Sequence, residues 1–276
     1  MNNFSTYSSI KKFYKNKRIL ITGATGFKGS WLSFWLYKMG AKVFTTGNNP
    51  NRNKNLFYGL GLEKKTSLKI FDIRNYEKLK KEIKRIQPNI IFHLAAQPLI
   101  LKSYYDPKGT YEVNTLGTLN LLESCRHNKS ITSLVCVTSD KCYESNYSTK
   151  GFKETDRLGG KDPYSGSKAS AEIIINTYNE SFFKTSKLGL ASARAGNVIG
   201  GGDWSENRLI PDAIKSIKKN KTITLRNPNF NRPWQHVLEP LYGYLILAFN
   251  LHKNKKIFLG HGILEQIKTR LQALKK

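Results

Sequence analysis

Two short stretches of this chain carry side chains able to move protons. Thr138-Ser139-Asp140-Lys141 closes the apolar, β-branched run Leu134-Val135-Cys136-Val137, so hydroxyls, a carboxylate and an amine collect at the end of a predicted strand. In an open parallel sheet the C-terminal ends of the strands face the ligand crevice. Downstream, Tyr164-Ser165-Gly166-Ser167-Lys168 opens a helical pattern that continues through Ala171, Ile174, Ile175 and Tyr178. Residues four apart share a helix face, so the Lys168 ammonium is expected beside the Tyr164 phenol, where it would lower the phenol's pKa. That makes Tyr164 a candidate general base near neutrality. Tyr-x-x-x-Lys by itself is a common pattern. It gains meaning from the cluster at the preceding strand end and from a glycine turn far upstream.

That turn is Gly23-Ala24-Thr25-Gly26-Phe27-Lys28-Gly29. It follows the apolar run Arg18-Ile19-Leu20-Ile21-Thr22 and precedes a helix from Ser30 to Met39 that stops at Gly40. Strand, glycine turn and helix are the context a dinucleotide fingerprint needs: glycines admit a tight turn and close backbone approach, and the helix N-terminus receives a pyrophosphate. The spacing is G-x-x-G-x-x-G. A second strand, Ala41 to Thr46, runs into Gly47-Asn48-Asn49-Pro50-Asn51-Arg52, with no acid for a ribose 2′-hydroxyl. Arg52 is a candidate for a 2′-phosphate, so these residues leave NAD and NADP both open.

The alternation continues. Leu68 to Ile73 is a third strand ending in Asp72-Ile73-Arg74, where Asp72 could hold an adenine amino group. Asn75 caps a helix from Tyr76 to Gln87, and Pro88 ends it. The fourth strand, Asn89 to Leu94, delivers the small residues Ala95-Ala96 and then Gln97-Pro98. A helical stretch after it holds Asn114, which either satisfies buried backbone groups or faces the site. Leu190 to Ala195 reads as a sixth strand and leads into Gly196-Asn197-Val198-Ile199-Gly200-Gly201-Gly202-Asp203-Trp204, whose glycines imply a bent backbone or one approached by a ligand. A helix from about Glu206 to Asn220 and a strand at Thr222 to Arg226 are expected next. Repeated strand–helix alternation predicts an α/β fold with a doubly wound parallel sheet. Residues 1–17 read as a polar N-terminal extension, 18–189 as the nucleotide-binding domain carrying the reactive residues, and 190–276 as a mixed region that adds to the sheet and binds substrate, smaller and incomplete, with an atypical tail after 251.

The 276 residues carry a formal net charge of +27. Such a field could attract nucleic acid, an anionic membrane or a multiply anionic small molecule. The lysines are spread along the whole length, so a solvated basic surface is expected, with no specific nucleic-acid partner. Cys125, Cys136 and Cys142 lack paired spacing, suggesting neither disulfides nor a metal site. No leader-like or long uncharged apolar run is present, so a cytoplasmic protein without a membrane partner is expected.

From about Lys17 to Asn250 the chain resembles the extended short-chain dehydrogenase/reductases, and within them the nucleotide-sugar 4,6-dehydratases. Gly23–Gly29, Asp72-Ile73-Arg74, Ala95-Ala96-Gln97-Pro98 and Tyr164/Lys168 carry the broad likeness. Three further segments resemble the branch that acts on CDP-glucose: Thr138-Ser139-Asp140-Lys141-Cys142-Tyr143, Arg194 to Trp204, and Arg232-Pro233-Trp234-Gln235-His236-Val237. The resemblance implies bound NAD, held by Gly23, Thr25, Gly26, Phe27, Lys28, Gly29, Asp72, Ile73, Leu94, Ala95, Ala96, Gln97, Asn114 and Thr138, with Tyr164 and Lys168. It implies that Tyr164, helped by Lys168 and Ser139, takes the proton of the sugar's 4-hydroxyl. Asp140 would then protonate the departing C6 hydroxyl, and Lys141 would serve or assist the C5 base. Asn197, Arg208, Arg232 and His236 would hold CDP-glucose, in a homo-oligomer, dimer or tetramer. After Leu251 the likeness fades into a basic amphipathic tail, as if the end of the substrate region were absent or replaced. The competing readings are a 4-epimerase, against which Asp140-Lys141 argues, a dehydratase for another nucleotide, an inactive nucleotide-binding scaffold and a basic nucleic-acid binder.

Overall fold

The computed structural model describes residues 3–144, 151–223, 225 and 233–253, with side chains from residue 7 onward except that of Lys54. Its centre is a parallel sheet built from the most apolar runs of the sequence. β1 (Arg18–Thr22), β2 (Lys42–Gly47), β3 (Ser67–Ile70), β4 (Ile90–His93), β5 (Ser133–Val137) and β6 (Gly189–Ala193) lie in the order β3-β2-β1-β4-β5-β6. Parallel pairing sets Ile19 against Val43 and Ile90, and Val135 against Phe92 and Ala191. The order reverses between β1 and β4, which in a doubly wound sheet opens the ligand crevice at their C-terminal ends.

Successive strand residues point to opposite faces, and both faces are covered by helices. Ile19, Ile21, Phe92 and Val135 join one core with α1 (Asn3–Tyr14), α2 (Phe27–Lys38) and α11 (Leu238–Lys253). Leu20, Ile91, Leu134 and Cys136 join the other with α5 (Tyr76–Ile86), α8 (Gly117–Cys125) and α9 (Pro163–Tyr178). This two-sided burial explains why the strands read as continuous apolar runs and not as alternating ones. The Asn75 side chain accepts from the Lys78 amide at 3.0 Å, as expected for a cap.

Shorter elements fill the connections: single turns α3 (Leu56–Gly59) and α4 (Leu62–Lys65), then α6 (Ile100–Tyr105) and α7 (Pro107–Tyr111) before a π-helical turn at Glu112–Leu116. β7 (Asn197–Ile199) pairs in parallel with β8 (Trp234–His236), flanking α10 (Leu209–Lys218). Just past residue 190 the chain still contributes to the main sheet through β6, and α11 covers its face. The strand expected at Thr222 to Arg226 does not form at Thr222, Ile223 or Leu225, and Thr224 and Arg226 lie outside the described residues. All three cysteines are free and buried. No helix among the described residues is long and apolar enough to cross a membrane.

The expected polar extension is where sequence and structure differ most. Residues 3–14 form α1, and Ile10 and Tyr14 are fully buried. Tyr14 donates its hydroxyl to the Leu245 carbonyl at 2.7 Å, tying α1 to α11. Two apolar side chains one turn apart made too short a stripe to stand out in a Lys/Asn/Ser-rich segment. Ile10→Ala should lower unfolding free energy by about 2–5 kcal/mol, measured by urea denaturation. An unchanged midpoint would mean that α1 is not part of the folded core.

Candidate active site

A cleft of about 1540 Å³ opens over the C-terminal ends of β1, β4 and β5. Gly23, Thr25, Gly26, Phe27, Lys28 and Gly29 line it from one side, with Asp72, Ile73, Leu94, Ala95 and Ala96 beside them. Thr138, Ser139, Asp140, Lys141, Tyr164 and Lys168 line it from the other, and Asn197 and Arg208 close it from the C-terminal region. Most of the expected site residues, drawn from distant parts of the chain, therefore share one space.

The glycine turn is shaped for close approach. Gly23 sits at φ +70°, and a Cβ there would lie 2.5 Å from the Ala95 amide nitrogen. A Cβ on Gly29 would lie 2.2 Å from the Gly23 carbonyl oxygen, so the turn closes only on glycines. Gly26 is different: a Cβ would meet only the Gly23 oxygen, at 3.2 Å, and the residue faces outward at the start of α2 with no side-chain cap. The first amides of α2 are thus left for an anion, the arrangement helix N-termini use for phosphates. At the end of β2, a Cβ on Gly47 would run into the Thr25 hydroxyl at 2.4 Å. Arg52, the candidate for a 2′-phosphate, lies over the Tyr58 ring at 4.9 Å and does not line the cleft.

Asp162 builds the start of α9. Its carboxylate accepts from the Ser165 amide at 2.9 Å and hydroxyl at 2.7 Å, and Pro163 fixes the first turn, which aims Tyr164 into the cleft. Lys168 is buried one turn later and donates to the Val137 carbonyl at 3.3 Å; burial pushes its pKa down to about 8. The expected lowering of the Tyr164 phenol by Lys168 is not what the geometry gives. Burial raises the phenol, Asp140 adds to the rise, and a hydrogen bond with Ser139 and the Arg208 charge pull the other way. The Lys168 ammonium is turned toward the strand carbonyl, which is why sharing a helix face was not enough.

Ser139 donates to Asp140 Oδ1 at 3.1 Å and accepts from the Lys141 amide at 3.3 Å, folding the strand end into a single turn that presents the Asp140 and Lys141 side chains to the cleft. Behind it stands Glu172, one turn after Lys168 and 4% exposed. It accepts from Thr138, from Ser192 at 2.7 Å and from Arg194 at 2.8 Å.

Two expected cofactor residues take another role. Gln97 and Asn114 do not line the cleft. Asn114 accepts from the Gln97 amide at 2.8 Å and donates to the Gln97 carbonyl at 3.1 Å and to Ser167 at 2.9 Å. Gln97 in turn bonds Leu99 and Thr110. Their amides are consumed in holding the loop after β4 against α9, and the π-helical turn displaces Asn114 toward that loop. His236 is exposed and lies outside the cleft lining, its ring accepting from the Leu238 amide at 3.3 Å at the start of α11. Asp72 lines the cleft but its carboxylate is gripped by Arg74, at 2.8 Å from Nη2, which holds it below its usual range. Arg232 lies outside the described residues. Of the three glycines 200–202, Gly202 adopts φ +90° against Leu56, and Gly200 packs on Val237 and Phe27, so bending and packing account for both.

Sequence reasoning passed over Glu172, Tyr244 and His93. His93 accepts at Nδ1 from Thr22 (2.7 Å) and donates from Nε2 to Thr118 (3.1 Å), whose own proton goes to the Asn114 carbonyl. Burial and Lys168 hold it neutral, down at about 3. A 3.6-residue repeat beginning at Tyr164 could have flagged Glu172; nothing local could have flagged Tyr244.

A doubly wound sheet with a glycine turn at its switch point, and a Tyr-x-x-x-Lys helix beside a Ser-Asp-Lys strand end, defines a dehydrogenase-type nucleotide fold. Within that class, the chain belongs to the GDP-mannose 4,6 dehydratase family, whose model matches residues 20–272. It is 46% identical over 247 residues to CDP-glucose 4,6-dehydratase of Salmonella typhimurium, a match covering 88% of this chain and 69% of that protein. It is 30% identical to dTDP-D-glucose 4,6-dehydratase of Dictyostelium discoideum over 78% of this chain and 51% of that one. The structure of dTDP-glucose 4,6-dehydratase from Bacillus anthracis in complex with NAD superposes with a TM-score of 0.71 at 27% identity, covering 83% of this chain and 71% of that one.

The glycine geometry separates folding from binding. Gly29→Val should fail to give soluble folded protein, because its side chain meets backbone on two sides. Gly26→Val should fold, with an unchanged far-UV circular dichroism spectrum, and lose NAD affinity by at least about 100-fold, roughly 2.7 kcal/mol. Full NAD affinity in folded Gly26→Val would show that the turn is not the dinucleotide site.

Proposed function

We propose that this chain is a hydro-lyase that converts CDP-glucose to its 4-keto-6-deoxy derivative and water, with NAD as bound cofactor. The observation that carries the reading is the convergence of Tyr164 with both Asp140 and Lys141 in one cleft, since a 4-epimerase needs the first and has no elimination for the other two. The 46% identity to a CDP-glucose 4,6-dehydratase supports the choice of nucleotide. Support for NAD over NADP comes from the NAD-bound relative and from Arg52 lying on Tyr58, away from the cleft. The Cβ-free turn at Gly23, Gly26 and Gly29, continued by Ala95 and Ala96, fits a dinucleotide pyrophosphate and ribose. Bound there, NAD would supply the hydride acceptor for C4 and the hydride donor for C6.

This chain's residues handle the protons. Tyr164 takes the proton of the 4-hydroxyl, its phenolate favoured by the Ser139 hydrogen bond and the Arg208 charge against the opposing effect of burial, and the ketone so formed acidifies the C5 hydrogen. Asp140 gives its proton to the leaving C6 hydroxyl, while Lys141 removes, or helps remove, the C5 proton. Asn197 and Arg208 hold the diphosphate and nucleotide, together with Arg232. Exposed apolar side chains on α9 and before α8, Ile173 and Leu116 among them, favour a homo-oligomer, dimer or tetramer. The three reduced, buried cysteines favour a cytoplasmic setting.

CDP-glucose carrying deuterium at C4 should give product labelled at C6, and unlabelled substrate in heavy water should gain deuterium at C5, read by NMR. A C4 label that stays at C4 with inverted configuration would mean epimerisation and end the dehydratase reading. Asp140→Asn should cut turnover by about 10²–10⁴-fold and let reduced cofactor accumulate, because an amide cannot protonate the leaving group. Tyr164→Phe should block the cycle before any reduced cofactor absorbance appears; normal accumulation in that variant would remove Tyr164 from the first step.

A further inference from the structure

Lys28 belongs by sequence to the glycine turn, yet its ammonium is not directed at that turn. It reaches across the base of α2 to the Tyr244 hydroxyl on α11, at 3.5 Å, and lies 6.0 Å from the centre of that ring. The charges that act on it come from the opposite wall: Lys168 on α9 and Arg208 before α10 repel it, and Asp140 after β5 attracts it. Among the described residues no carboxylate pairs with it. Arg208, by contrast, is anchored by Asp203 at 2.8 Å and still lines the cleft. Two cations from different elements, Lys28 and Arg208, thus share one cleft with Lys168, and Tyr244 gives Lys28 only a neutral partner. Positive charges gathered in a partly desolvated cleft repel each other until an anion enters between them.

We propose that Lys28 is a substrate-side residue, forming with Arg208 a two-cation clamp for the diphosphate of the sugar nucleotide, while the backbone of its own turn serves the dinucleotide. The inference rests on the dehydratase reading and adds to it a binding role that the motif around Lys28 does not suggest. It also carries a linkage. Burial, Lys168 and Arg208 push the amine down to about 8 in the ligand-free cleft. An anion bound against it favours the ammonium, so its pKa rises on binding and the protein takes up a proton near pH 8.

The test uses the purified full chain, with CDP and NAD titrated separately by calorimetry. Lys28→Met should weaken CDP by about tenfold to a hundredfold, the scale of one charge-assisted hydrogen bond, and leave NAD within about twofold. Lys28→Arg, which keeps the charge, should restore most of the CDP affinity, and its thermal midpoint and that of Lys28→Met check the fold. At pH 8 the wild type should take up a fraction of a proton per CDP, read from the dependence of the heat on buffer ionisation, and Lys28→Met should take up measurably less, the remainder coming from Lys168. Unchanged CDP affinity in Lys28→Met overturns the inference. So does a loss confined to NAD, which would return Lys28 to the cofactor's pyrophosphate. A wild type that binds neither ligand would sink the dehydratase reading, and the clamp with it.

Discussion

The reactive end of this protein hangs on one buried carboxylate. Glu172 receives hydrogen bonds from Thr138, Ser192 and Arg194, so α9, the end of β5 and the end of β6 meet at a single side chain. An unpaired carboxylate at that depth would be untenable. Here Arg194 neutralises it, and Arg194 is itself steadied by the Tyr143 ring at 4.8 Å and the Glu154 carbonyl at 3.0 Å. The consequence reaches the site directly. Thr138 precedes Ser139 and Asp140, Arg194 precedes the loop to Asn197, and Glu172 lies two helical turns after Tyr164. The relative positions of Asp140, Tyr164 and Asn197 are therefore set by a charge pair that does not line the cleft.

A second constraint is electrostatic. The chain's excess of basic residues is spread over its surface, whereas in the cleft Lys28, Lys102, Lys141, Lys168 and Arg208 stand among the acids Asp72, Asp140, Asp203, Glu206 and Asp212, and Asp203 is bound to Arg208. Burial holds Lys28 and Lys168 at about 8, below the ordinary range, so a modest change in surroundings alters their charge. His93, just beneath, is kept neutral by burial and by Lys168, which prevents a further positive charge under the site.

The burial of α1 bears on how the sheet is closed. β1, β4 and β5 need cover on both faces, and α1 with α11 supplies it on the face that α2 leaves open. Tyr14 and Leu245 join the two ends of the described chain, so a segment with no visible chemistry and the last described helix depend on each other. Catalytic loops above the sheet inherit whatever rigidity that pairing confers.

Much of this was legible along the chain. Runs such as Ile19-Leu20-Ile21 and Leu134-Val135-Cys136-Val137 are apolar because parallel strands are buried on both faces, and the glycines at 23 and 29 are needed by a turn that tight, so strand positions and the glycine turn follow from local physics. Tyr164 and Lys168 share a helix face for the same reason. What local physics could not supply was direction and partnership across the fold. Whether Lys168 meets the phenol or the Val137 carbonyl, whether Lys28 points to its own turn or to Tyr244, and whether Asn114 and Gln97 face the cleft or bind each other are decided by elements tens to hundreds of residues away. Buried polar groups must find partners wherever the packed chain presents them, and that choice exists only once the layers have come together.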